Sequence, residues 1–154
     1  MTDKYSVTVC TPHDLELVAA DMRDMDVFEC RAAGFETPLD ALRVGVLMGK
    51  QTWTFNFDGE PLCVFGDVPD NSGGAVFWLL GTNQVRQHKR AFMRYSKMYR
   101  ELYLAKYTYL TNVVCMDNDE SVRWLKWLGA EFIDGVAMID GKPFQRFYIE
   151  RGDG

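Results

Sequence analysis

The reactive side chains of this chain are scattered. His13 and His88 are its two histidines, and neither is set beside a Ser or Cys as a nucleophile–base pair, so nothing resembles a hydrolytic set. Neither lies a helical turn or two residues from a Cys, Asp or Glu cluster, and no bound metal is expected. Cys10, Cys30, Cys63 and Cys115 are far apart and never at C-x-x-C spacing, which reads as reduced core thiols. The charge is more informative. Between Gln84 and Tyr107, Arg86, Lys89, Arg90, Arg94, Lys97, Arg100 and Lys106 face one acid, Glu101, a local balance of +6 in a chain of net charge −5, so the remainder carries −11. One segment is a positive stripe on an acidic body, suited to phosphates or to an acidic protein surface.

The elements that position these residues follow from periodicity and caps. With 154 residues the chain suits one domain, residues 1–154, which at this size buries roughly 70% of its unfolded surface. No run approaches the roughly 20 apolar residues of a membrane span. No basic n-region leads into an apolar h-region, so no signal peptide is expected and the expected compartment is cytoplasmic. Ser6–Cys10 is a short β-branched strand, and Thr11-Pro12 starts a helix predicted to run to about Asp24. A loop is expected around Val27 to Phe35, then a helix from Thr37-Pro38 to a stop at Gly49.

Gln51–Phe57 alternates with period two, Asp58-Gly59 signals a type I′ turn, and Pro61–Phe65 returns as the partner strand. Trp53, Phe55 and Phe57 share one face, which is expected to pack on helices, and Thr52, Thr54 and Asn56 share the other. The Pro-Asp-Asn-Ser-Gly-Gly loop at 69–74 leads to Ala75–Leu80, an apolar run read as a strand buried on both faces. A long helix follows, with Phe92, Tyr95, Tyr99, Leu102 and Tyr103 as its core stripe and Arg90, Arg94 and Lys97 opposite. Tyr107–Cys115 reads as a strand, Asn118 opens a helix that Gly129 stops, and Glu131–Ile139, the turn Asp140-Gly141 and Pro143–Glu150 complete the chain. The predicted fold class is α/β (α+β), a mixed, mostly antiparallel sheet flanked by helices in the order β-α-α-β-β-β-α-β-α-β-β.

This order resembles the acyl-CoA N-acyltransferase (GNAT) superfamily over almost the whole chain. Asn118 and Gly129 keep the eleven-residue spacing of that superfamily's C-terminal helix. The resemblance implies a pyrophosphate of acetyl-CoA resting on backbone N–H groups between the fourth strand and the long helix, in a Q/R-x-x-G-x-G/A loop. Leu80, Gly81, Arg86, Lys89, Ala91 and Asn118 are the residues it assigns to the cofactor. The best alignment is Arg86-Gln-His-Lys89-Arg-Ala91, where Lys89 replaces the first glycine and no glycine follows Gly81 until Gly129.

Seven residues after Asn118, where many acetyltransferases carry a tyrosine acting as general acid, stands Leu125, which donates no proton. Tyr107, Tyr109, Cys115 or Asp117 are the substitutes on or beside the neighbouring strand, and Glu60 or Asp67 the candidate bases. Each reads more simply as structural or solvated, and the catalytic residues stay unassigned.

A second resemblance rests on Trp78-x-Leu80, Lys89-Arg90-x-Phe92, the Tyr-rich basic helix, Leu110-x-Asn112, Asn118, Leu125, Gly129-Ala130-x-Phe132, Asp140-Gly-Lys-Pro-Phe144 and Phe147. These residues are similar to a family of small proteins of short-tailed double-stranded DNA phages that includes the internal virion (core) protein A. It implies a role in virion morphogenesis in the host cytoplasm or the virion, with phage virion or host proteins as partners and no required cofactor. The acetyltransferase alternative would transfer acetyl from acetyl-CoA to an amine. Lys89, Arg90, Arg94 and Lys97 are the contact residues if the basic stripe meets DNA phosphates or a partner; the plainer reading is a solvated helix face. Trp124 and Trp127, three apart on the C-terminal helix, are one more than the core requires, so one of them is a candidate docking residue.

Overall fold

A computed structural model describes residues 3–152. The chain divides into two compact units, Met1–Val68 with Trp78–Phe92, and Pro69–Phe77 with Met93–Gly154. Among the described residues no helix is long and apolar enough to cross a membrane.

The first unit opens with β1 (Tyr5–Val9), α1 (Pro12–Ala20), α2 (Asp24–Ala32) and α3 (Pro38–Met48). α1 starts at a capping box in which Thr11 Oγ1 accepts the Asp14 N–H at 3.2 Å and Asp14 returns the bond to the Thr11 N–H at 3.0 Å. Thr37 caps α3 through its side chain, Oγ1 accepting from the Asp40 N–H at 3.1 Å. α2 corrects the sequence reading, which put a loop there and ran α1 on to Asp24. Its N-cap, Arg23, makes no side-chain cap bond, so the usual start signal is missing; Asp24 and Asp26 in the first turn and Arg31 in the last are the weaker signals it carries. Gly34, at φ +99°, follows the helix as a backbone position that suits glycine.

β2 (Thr52–Phe57) lies between β1 and β3 (Glu60–Pro69), both antiparallel to it. Asp58 and Gly59 take φ +51° and +81°, the type I′ conformation that their sequence predicts. The register slips between Phe55, opposite Cys63, and Asn56, opposite Pro61. Leu62 is thereby left without a β2 partner, and its carbonyl accepts instead from the Thr82 N–H at 2.9 Å and the Thr82 hydroxyl at 2.8 Å. The aromatic face packs as expected at Phe55, whose ring lies 6.4 Å from that of Phe92 in the long helix, but the polar face is buried too. Thr52, Thr54 and Asn56 are buried, whereas on the aromatic face only Phe55 is, with Trp53 and Phe57 half-buried. The polar face tolerates burial because it is bonded: Thr54 Oγ1 donates to Asp14 at 2.9 Å and Asn56 Nδ2 to Thr8 Oγ1 at 2.9 Å.

The core of this unit joins Leu15 and Val18 of α1, Met22, Cys30 of α2, Ala41 and Leu42 of α3 and Val64 of β3, with Trp78 and Leu80 packed against it. Trp78 needs glycine on both sides: a Cβ on Gly45 would lie 2.7 Å from its ring, and one on Gly66 3.2 Å.

In the second unit, β5 (Tyr109–Cys115) pairs antiparallel with β8 (Lys142–Glu150) along its whole length, from Tyr109 opposite Glu150 to Cys115 opposite Phe144. β4 (Ala75–Gly81), which supplies residues to both units, runs parallel to β5 at Ala75 and Val76. Asn112 Nδ2 then donates to the Phe77 carbonyl at 2.7 Å, a side chain taking over where the ladder ends. Only Ala75 and Gly81 of β4 are buried and Val76 to Leu80 are half-buried, so the strand is not covered on both faces as its apolar run suggested.

α4 (Lys89–Lys106) also contributes to both units, and α5 (Asp119–Trp127) follows β5. The stretch read as one strand from Glu131 is two, β6 (Glu131–Phe132) and β7 (Ala137–Ile139), separated around Gly135 at φ +104°. Both pair with β8, and Asp140-Gly141 turns the last hairpin with φ +52° and +78°.

Candidate functional site

The segment expected to cradle a phosphate begins at the end of β4, and its backbone donors can be counted. Gly81 N–H donates to Asp26 Oδ2 at 2.8 Å, and Thr82 N–H to Leu62 O at 2.9 Å. Asn83 N–H donates to Asp21 O at 3.0 Å, Gln84 N–H to Thr82 Oγ1 at 3.3 Å and Val85 N–H to Thr82 O at 3.3 Å. Every donor from Gly81 to Val85 is engaged within the protein. Asn83 also ties its side chain to Asp21, reaching Oδ1 at 3.0 Å. Asn83–His88 form a 3-10 turn, in which successive N–H groups point at carbonyls three residues back, and helical geometry continues into Lys89 at φ −56° and ψ −45°.

Asp26 and Arg23 hold this strand end. Asp26 Oδ2 accepts from Arg23 Nε at 3.1 Å and Nη2 at 2.9 Å as well as from Gly81. The pair is shielded, with side chains 12% and 4% exposed. The Arg23 N–H donates in turn to Gly81 O at 3.0 Å, and Met22 bridges Thr82. The pair also bears on Cys63, whose thiol burial pushes up to about 12, with the Arg23 guanidinium pulling it down and the Asp26 carboxylate pushing it further up. Sequence reasoning missed Arg23 and Asp26 because they lie in the segment read as helix end and loop; their i, i+3 spacing was the available signal.

Of the residues assigned to a cofactor, Leu80 is half-buried on the core and Gly81 and Ala91 are buried, whereas Arg86 and Lys89 are exposed, as is the neighbouring Arg90. His88 is held by β1 and β2, its Nδ1 2.7 Å from Tyr5 Oη and its ring 4.4 Å from that of Phe57. At Arg86–Ala91 the chain lacks the glycines with which the acyltransferase loop brings its backbone up to a pyrophosphate. The N–H groups that precede this loop, from Gly81 to Val85, are spent on Asp26, Leu62, Asp21 and Thr82.

In the second unit, Asn118 is buried and caps α5, its Oδ1 accepting the Ser121 N–H at 3.3 Å. Gly129, at φ +96°, ends the helix: its N–H donates to Lys126 O at 3.0 Å and the Ala130 N–H to Leu125 O at 2.9 Å, the two bonds of a Schellman stop. Arg100 Nε adds a bond to Leu128 O at 2.6 Å, so this member of the basic segment caps a helix. Leu125, at the tyrosine position, is 4% exposed and packs as a core residue.

The possible substitutes are each otherwise placed. Tyr107 and Cys115 are buried, and Asp117 lies 3.4 Å from Lys142. The Tyr109 hydroxyl donates to Asp70, whose other oxygen accepts from Ser72 N at 2.9 Å and Gly74 N at 3.2 Å. Those bonds hold the Asp70 carboxyl below its ordinary range and push the Tyr109 phenol up. In the first unit Glu60 is exposed and Asp67 fully buried. Along α4, Arg94 and Lys97 are exposed, with Arg94 5.5 Å from the Tyr95 ring centre. Tyr103 is buried and Phe92, Tyr95 and Tyr99 half-buried, but Leu102, expected in the core stripe, is 53% exposed. Among the described residues no His, Cys, Asp and Glu group is arranged to hold a metal ion.

The fold is that of the GNAT acetyltransferases. The chain superposes on spermidine N-acetyltransferase from Vibrio cholerae, solved with CoA and spermine, with a TM-score of 0.69 at 12% identity, covering 96% of this chain and 95% of that one. Aminoglycoside acetyltransferase AAC(6')-Ib, solved with coenzyme A, gives 0.66 at 15% identity, over 96% and 95% of the two chains. At the level of sequence, residues 51–136 match a family described as bacteriophage T7, probable scaffold protein Gp13. The probable scaffold protein gp13 of Escherichia phage T7 is 32% identical over 132 residues, 82% of this chain and 85% of that protein. An acetyltransferase fold whose fourth strand ends in main-chain groups bonded within the protein is thus joined to a phage sequence signature, and the chain belongs to the family of the phage T7 probable scaffold protein gp13.

Proposed function

We propose that this protein serves phage particle assembly as a non-catalytic member of the acetyltransferase fold, working as a single domain on the internal ejection machinery of the virion. The observation that carries the reading is the closed strand end: the donors from Gly81 to Val85 are bonded internally. Leu125 in the place of a proton donor supports it. Acetyl-CoA is then not required, the chain groups with the internal virion (core) protein A-like proteins, and its partners are virion or host proteins met in the host cytoplasm or the particle.

The surface offered to a partner is the exposed side of α4, with Lys89, Arg90, Arg94 and Lys97, either on an acidic protein face or weakly on DNA phosphates. The test is complementation of a phage lacking this gene. Native chain should restore plaques, and the Arg90→Glu/Arg94→Glu variant should lose both plaques and retention of virion proteins while unfolding at the native temperature. Equal retention by the reversed variant overturns the contact.

The second reading, a working acetyltransferase, draws on exposed Arg86, Lys89 and Arg90, which offer charge near a phosphate. It requires acetyl-CoA to bind the folded chain, a property that titration measures directly.

A further inference from the structure

We infer that Arg23 and the Gly81 N–H form an oxyanion pocket that this chain fills with its own Asp26 and that, once emptied, accepts a small free carboxylate. The inference deepens the assembly reading, on which it rests: the strand end is held by an internal ligand and needs none from solution.

Three donors from two side-chain nitrogens and one main-chain N–H converge on a single oxygen, Asp26 Oδ2, at 3.1, 2.9 and 2.8 Å. Guanidinium forks and backbone N–H groups are the donor types with which proteins take up free carboxylates and phosphates. The carboxylate joins two elements. Asp26 is the third residue of α2, from which an acid ordinarily reaches back to its own helix's N-cap, yet the Arg23 N–H donates to the Gly81 carbonyl at 3.0 Å and Asp26 Oδ2 accepts from the Gly81 N–H of another element.

The pocket's walls are specific. A Cβ at Gly81 would lie 3.3 Å from Arg23 Cζ, Arg23 Nε and Val85 Cγ2, tighter than ordinary contact, so glycine leaves the guanidinium its seat. Asp26 is 3% exposed, so the bound carboxylate is shielded from water and its bonds are unscreened.

The test is chemical rescue followed by thermal unfolding, with sodium formate as the probe and sodium chloride of equal ionic strength as its control. Asp26→Ala should lower the midpoint by about 10 °C in chloride, because the buried guanidinium loses its partner. Formate at about 100 mM should return at least about 3 °C of that loss and leave the native midpoint where chloride leaves it. Equal midpoints for the variant in the two salts overturn the inference. Should Asp26→Ala fail to fold, Asp26→Asn, which keeps the shape and one acceptor, decides: a midpoint at least about 5 °C below native supports the pocket, and one equal to native overturns it. Acetyl-CoA raising the native midpoint would instead remove the non-catalytic reading and leave the formate result standing, so the two failures are distinguishable.

Discussion

The Gly81 N–H donates to the carboxylate of Asp26 at 2.8 Å, and the Arg23 N–H donates to the Gly81 carbonyl at 3.0 Å, so both main-chain groups of this residue are bonded to the segment that opens α2. Gly81 ends β4, which is where the acetyltransferase resemblance locates the approach to the cofactor loop. Here that end is part of the frame.

Arg23 and Asp26 should therefore behave as a coupled unit. Removing one partner of a buried pair strands a charge and costs about 3 kcal/mol, whereas removing both strands none. Arg23→Gln and Asp26→Asn are each expected to destabilise strongly, and the double variant to lose about 2 kcal/mol less than their sum in urea denaturation. Additive losses would mean that the two side chains stabilise the strand end independently.

The Tyr109–Asp70 bond gives a pH signature. The hydrogen bond from Tyr109, then that from Ser72 N–H, lowers the Asp70 pKa below its ordinary 3.8. A depressed carboxylate contributes stability above the unfolded value and loses it as pH falls through the folded value. Tyr109→Phe should flatten the acid limb of the melting profile below pH 3.8 relative to native. The pair lies near the surface, only partly buried, so the difference is small, and parallel limbs would show that the bond does not persist in solution.

Thiol reactivity should separate the cysteines. Burial pushes Cys30 and Cys63 up to about 12, and Cys115 is fully buried. Cys10 is half-buried, with its thiol also raised by desolvation. A disulfide-exchange reagent at pH 8 is expected to titrate Cys10 slowly and the other three only after denaturant is added. Rapid reaction of all four without denaturant would contradict the packed core.

Gly129 should resist replacement. At φ +96° a side chain is strained, and a Cβ there would also lie 3.4 Å from Arg100 Nη2. Gly129→Ala is expected to cost about 1 kcal/mol in urea denaturation, while Gly152→Ala, which meets nothing within 4 Å, should be neutral. Equal effects would contradict the Schellman stop.

Much of the fold was legible because its signals are local. Thr11-Pro12, Thr37-Pro38, Asp58-Gly59, Asn118 and Gly129 each mark a cap or turn through their own backbone geometry, and each sits where the sequence puts it. α2 was not legible, since Arg23 provides no side-chain cap and its acid bonds a residue 55 positions away. The break between β6 and β7 falls at Asp134-Gly135, a turn signal that the apolar residues on either side of it outweighed in the sequence reading. The missing tyrosine at Leu125 and the missing glycine at Lys89 could be read from spacing, but the closure of the strand end could not. Closure depends on Asp21 and Asp26 meeting Asn83 and Gly81, a long-range pairing with no periodic trace.

The most direct test of the central claim is calorimetric titration of the native chain with acetyl-CoA and with CoA, beside Lys89→Gly, which restores the loop's first glycine. The closed strand end predicts no saturable heat for the native protein, nor for Lys89→Gly, because the donors from Gly81 to Val85 stay engaged when one side chain is trimmed. Saturable binding to the native chain would contradict the account and return the protein to the acetyltransferases as an enzyme in search of its acceptor.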